Sequence, residues 1–167
     1  MTTDFLKQAA LFIIFILAQS MVLGRIHLFG FATPLLCIYF VLMFQRNLPK
    51  WSSLLWSFMM GLLIDIFTNT PGLTSASLTF IAAIQPYFLE LFISRDAEED
   101  LRPAFSTIGP GKYAYYASVL VLLFCVVFYS LEFFSFYDWT RWILNVVGSS
   151  VITLVLIFTF ETAKIRK

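Results

Sequence analysis

The sequence predicts an all-α, polytopic membrane protein with six transmembrane helices, short loops and both termini in the cytoplasm. Three observations lead there. Hydrophobic residues fill 60% of 167 positions and charged residues only 13%, and mean hydropathy is +0.86. The apolar residues gather into six runs. Lys and Arg collect at alternate ends of those runs. A soluble domain of this size buries only about two-thirds of its chain surface on folding, so an apolar excess of this kind has to face lipid.

The first run covers about residues 5–23. It has the length of a signal peptide, but it lacks a convincing cleavage site and five more runs follow, so it reads as a retained helix. The second and third, about 31–44 and 52–67, fall short of the ~20 residues of a full crossing. The fourth, about 73–93, contains Pro86, whose ring displaces an intrahelical hydrogen bond and should kink it. The fifth and sixth cover about 113–134 and 142–160. Trp51, Trp139 and Trp142 stand at the ends of runs, where aromatic rings anchor helices at the interface.

Orientation follows from the basic residues near the ends of the runs. Lys7, Arg46, Lys50, Arg95, Arg102, Lys112, Lys164, Arg166 and Lys167 fall on one side and only Arg25 and Arg141 on the other. The richer side is the cytoplasm, and an even number of crossings returns both termini to it. The whole chain, 1–167, is thus expected to be one integral membrane domain. Only the connection 94–112 is long. Its charged stretch Arg95–Arg102 and its Gly109-Pro110-Gly111 turn read as a solvated connector, or as a docking strip for a cytoplasmic partner.

Composition also excludes functions. A net charge of +1 lacks the concentrated positive charge that nucleic acid requires. One histidine, His27, and two separated cysteines, Cys37 and Cys125, supply no His/Cys metal set and no disulfide framework. No nucleophile elbow, zinc-protease motif or phosphate loop is present. The chain is expected to be no enzyme and to need no metal or cofactor.

The residues that remain are seams and buried charges. Helices in lipid associate through small residues and shared hydrogen bonds. Ser75, Thr79 and Ala83 share one ridge by their spacing of four, and so do Asn145, Ser149 and Thr153; both ridges are expected to pack against other helices. Three carboxylates lie within or at the edges of runs: Asp65, Glu90 and Glu132. A carboxylate inside a lipid-spanning segment costs on the order of 2.5–3.5 kcal/mol on insertion scales. Glu90, near Arg95, reaches the headgroups. Asp65 precedes the turn Asn69-Thr70-Pro71-Gly72. It can cap that turn, accept backbone N–H groups around Thr74 and Ser75, or pair with Arg25 or Arg141. Partner contact, solute binding and proton transfer are the functional alternatives.

The stretch from Pro34 to Gly72 resembles the core of the bacterial rod shape-determining MreD family. The resemblance rests on Pro34, Tyr39, Gln45-Arg46 with Pro49, Gly61-x-x-x-Asp65 and the turn with Pro71 and Gly72, joined by Glu132-Phe133 in the fifth run. It implies a non-enzymatic scaffold of cell elongation in the bacterial cytoplasmic (inner) membrane. Its partners would be an MreC-like single-span protein, an MreB-like filament and the glycosyltransferase and transpeptidase of lateral peptidoglycan synthesis. Gly61, Asp65, Pro71, Gly72 and Glu132 would then form a partner-binding or structural motif. The Phe-rich runs and the acidic Arg95–Arg102 loop depart from the family pattern. A substrate-binding membrane subunit of a vitamin or metal uptake system has similar size and hydrophobicity, and for it Asp65, Glu132, Arg141 and Asn145 would have to converge on a pocket.

Overall fold

The computed structural model describes residues 12, 13, 15–17, 19, 33–93, 101–133 and 138–165. Among these, all regular structure is helical. The helices are α1 Cys37–Leu42, α2 Lys50–Thr68, α3 Leu73–Phe92, α4 Phe105–Ile108, α5 Pro110–Glu132 and α6 Trp139–Ile165. Four of them, α2, α3, α5 and α6, are long and apolar enough to cross a membrane. At 1.5 Å per residue the 19 residues of α2 rise about 28 Å, close to the thickness of a hydrocarbon core.

Local chemistry sets the ends of these helices. Pro49 is extended and precedes α2. Asn69 closes α2 in the left-handed region (φ 57°), its N–H donating to the Asp65 carbonyl. Gly72 enters α3 at φ 85°, a backbone conformation that side chains rarely adopt. The Gly109-Pro110-Gly111 sequence is no free turn. Pro110 starts α5, because its missing N–H would have no helical partner there and its ring presets a helical φ. The residues before it are no solvated connector either: Pro103 and Ala104 are buried, and the Phe105 ring packs on Tyr113 and Phe158. The charged part, residues 94–100, lies outside the described residues, as does most of the first expected run.

The second expected run departs most from its sequence reading. Residues 33–36 are not helical, and α1 is only six residues long, all of them buried. A proline disfavours helical backbone in the residue before it, which for Pro34 is Thr33. Helix α1 lodges among α2, α3 and α5. Around it α2 packs on α3, α3 on α5, and α5 on α6, while α4 rests on α5 and α6. The described residues of the N-terminal run join this core: Phe12 meets Phe40 and Trp56, and Phe15 meets Tyr39.

Polarity is arranged for lipid. The outer faces carry Leu55, Phe58 and Ile66 on α2 and Ile143, Val147, Val151 and Val155 on α6, all exposed. The interior holds Ser57, Ser77, Gln85, Ser149, Thr153 and Glu161. In water such an outer surface would be a liability; in a bilayer it is the solvent-facing surface. Pro86 lies inside α3, and the helix continues past it to Phe92.

Candidate functional site

Two polar constructions hold this bundle together, and the sequence motifs fall on them. The first is the corner between α2 and α3. Asp65 is 4% exposed, in the last turn of α2. Its Oδ1 accepts the Thr74 N–H at 2.8 Å and its Oδ2 accepts the Ser75 N–H at 3.0 Å. Those two amides are among the four at a helix start that find no intrahelical acceptor. The carboxylate therefore serves α3 as an N-cap delivered from the preceding helix, and its negative charge meets the positive end of the α3 dipole. Thr70 adds a longer bond to Oδ1 at 3.3 Å, and the Asp65 carbonyl accepts the Thr70 N–H at 3.1 Å.

Gly61 makes this capping possible. One turn before Asp65 on the same face, it lies against the backbone of Ser75. A methyl group there would overlap the Ser75 Cα and come within 2.6 Å of its nitrogen. Glycine lets the two helix backbones approach, and the approach brings the α3 amides within reach of Asp65. Gly72 supplies the positive φ of the turn, and Pro71 is exposed on its outside.

The second construction is a polar seam along α6. Ser149 Oγ accepts the Thr33 N–H at 3.1 Å, and Thr153 Oγ1 accepts the Leu35 N–H at 3.0 Å. From the N-terminal run, Gln19 Nε2 donates to the Pro34 carbonyl at 3.0 Å. The Tyr129 hydroxyl joins Ser149 at 2.5 Å and Thr33 at 2.8 Å. Further along α6, Glu161 is 1% exposed; its Oε1 accepts the Tyr39 hydroxyl at 2.5 Å and its Oε2 the Phe105 N–H at 3.3 Å. Non-helical backbone at membrane depth is tolerated where protein groups satisfy it. Residues 33–35 meet that condition through side chains of other segments.

The expected ridges need correction. On α3, Ser75 is buried, but the Thr79 hydroxyl turns back to the Ser75 carbonyl at 2.7 Å and Ala83 is exposed. A spacing of four drifts about 40° per step around a helix. The buried face instead runs through Ser75, Leu78, Ala82, Gln85 and Leu89. On α6, Ser149 and Thr153 are buried and bind the extended residues 33–35, and Ser149 also meets Tyr129 of the neighbouring α5. Asn145 is only half-buried, and its Oδ1 has no hydrogen-bond partner among the described residues.

The residues proposed for a solute pocket have separate settings. Asp65 is engaged with Thr70, Thr74 and Ser75 at its own corner, Glu132 is exposed at the end of α5, and Arg141 faces Asp138 at 3.8 Å on an exposed turn of α6. Among the described residues no group of three His, Cys, Asp or Glu is placed to hold a metal ion. Glu161 was missed because the last apolar run ends just before it. A signal was present in the spacing Thr153, Ile157, Glu161, three buried positions that carry the seam on by two steps of four.

Comparison with protein-family models, with curated proteins and with solved structures found no match to this chain. The chain is a helical membrane protein whose motif residues build a helix corner and whose α6 side chains hold a buried non-helical segment.

Proposed function

We propose that this chain is a non-enzymatic membrane scaffold of the cell-elongation machinery, of the MreD kind. In this reading it links an MreC-like protein and an MreB-like filament to lateral peptidoglycan synthesis. It crosses the bacterial inner membrane six times with both termini in the cytoplasm, the N-terminal run and the segment around α1 completing the count. The Lys and Arg asymmetry supports that orientation.

One observation carries the reading. Three of the residues on which the resemblance rests, Gly61, Asp65 and Gly72, make one helix corner in which the carboxylate is committed to backbone amides. A carboxylate bonded in this way organises a surface; general acid–base work would need it aimed at a substrate proton. The corner presents an exposed turn at Asn69, Pro71 and Gly72, beside the exposed Ile66 and Phe67. A partner recognised there meets a shape fixed by backbone.

Co-purification tests this. The tagged protein is extracted from its native membrane and its bound proteins are identified. An MreC-like single-span protein or a wall-synthesis enzyme in stoichiometric yield is expected. Saturable binding of a vitamin or divalent metal, with no such partner recovered, would overturn the scaffold reading in favour of an uptake subunit.

A further inference from the structure

Two buried hydroxyls have no hydrogen-bond partner among the described residues, those of Ser57 and Tyr113, and Tyr113, near the start of α5, is the one whose ring packs on Phe105, a partner of the buried Glu161. Tyr113 is fully buried, and its Oη has no hydrogen-bond partner among the described residues. Its ring also lies beside that of Tyr116, the centroids 6.1 Å apart. Phe105 ties this hydroxyl's ring to the carboxylate: its ring packs edge-on against Tyr113 at 5.0 Å, and its N–H donates to Glu161 Oε2. A carboxylate offers about four acceptor positions. Glu161 uses one strongly, for Tyr39, and one weakly, for Phe105 at 3.3 Å.

We propose that Tyr39, Tyr113 and Glu161 form a hydrated site inside the bundle, its ligand a single water molecule that bridges the Tyr113 hydroxyl to the Glu161 carboxylate. The donors and acceptors select the ligand. It must accept from the Tyr113 O–H and donate to the carboxylate. Water does both, whereas a bare cation leaves the Tyr113 O–H without an acceptor. Buried waters make two to four hydrogen bonds to groups otherwise unsatisfied, and this bridge supplies two. The water joins α5 to α6, which already holds α1 through Tyr39 and α4 through Phe105. Glu161 then becomes the meeting point of four helices.

The experiment is infrared difference spectroscopy of the protein in lipid nanodiscs, exchanged between ordinary and heavy-oxygen water. An isotope-shifted O–H band of an internal water is expected in the wild type and absent in Tyr113→Phe. No shifted band, or one that persists unchanged in Tyr113→Phe, overturns the proposal. Thermal unfolding gives a second reading. Removing an unpartnered buried hydroxyl relieves a burial cost, whereas removing one end of a bridge exposes the other. Tyr113→Phe is therefore expected to lower the unfolding midpoint, and to lower it less when Glu161→Gln is already present. A midpoint unchanged or raised by Tyr113→Phe, or full additivity with Glu161→Gln, overturns the bridge. Tyr113→Phe keeps the ring and its packing, so it reports even where Glu161→Gln fails to fold.

Discussion

Gly61 and Ser75 meet backbone to backbone, with no room for a methyl group between them. The contact joins α2 to α3 one turn from the carboxylate that caps α3. Close approach and capping depend on each other: without the glycine the amides of Thr74 and Ser75 move out of reach, and without Asp65 they are buried unpaired.

Gly61→Ala should therefore destabilise the protein although alanine is the better helix former. The obstacle is main chain, which cannot rotate away, so the cost should be at least the ~1–3 kcal/mol of ordinary overpacking. Thermal unfolding of the purified variant in detergent measures it. A midpoint equal to the wild type would show that the corner yields.

Asp65 separates two effects by a graded series. Asp65→Ala leaves two buried N–H groups unsatisfied, at about 1–3 kcal/mol each. Asp65→Asn retains one acceptor oxygen and should fall between alanine and the wild type. If cell-shape or partner-binding defects follow this same order, they arise from the corner. A variant that is stable yet fails to bind would place the carboxylate itself in a partner contact.

On α6, Thr153→Val keeps the shape and removes the acceptor for the Leu35 N–H, so a loss of about 1–3 kcal/mol is expected. Thr159 has the same chemistry, but it is exposed and bonds its own helix at the Val155 carbonyl. Thr159→Val should lie within ±0.5 kcal/mol. Equal effects at both positions would remove the seam as a structural element.

The corrected face of α3 gives a neighbouring pair. Ala82 is buried and Ala83 exposed. Ala82→Leu should overpack the bundle and reduce folded yield, while Ala83→Leu only enlarges an outward-facing surface. Size-exclusion profiles of the two variants decide it, and a reversal would restore the ridge through Ala83.

Topology can be read by cysteine labelling, since native Cys37 and Cys125 are both buried and should stay silent. Pro71→Cys should react with a membrane-impermeant maleimide on intact spheroplasts, and Lys164→Cys only after permeabilisation. The opposite pattern would invert the orientation.

The Asp65 corner could be read in the sequence because everything it needs is local: a carboxylate, a turn with glycine, and a helix start within ten residues. The four long apolar helices, α2, α3, α5 and α6, were equally plain, since composition alone marks them. The segment before α1 was not. Residues 31–44 are apolar enough to pass for a crossing, and what holds 33–35 out of a helix lies more than a hundred positions away, at Ser149 and Thr153. Glu161 was overlooked for a related reason. The last run was ended at Phe160, before the polar and basic tail, whereas the helix continues to Ile165 and buries Glu161 against Tyr39. Periodicity on one helix shows which groups face inward and is silent on what meets them there.

The seam on α6 also has a consequence for how the protein is made. A chain inserted from its N-terminus delivers Thr33 and Leu35 to the membrane long before the hydroxyls that receive their amides, which lie 116 and 118 positions later. Until α6 arrives, those amides need water or a temporary partner, and α1 cannot settle into its final place. The last helix is thus the closing piece for one of the first segments. Ribosome-bound intermediates that end before Ser149 should keep Cys37 open to thiol reagents, and release of the full chain should close it.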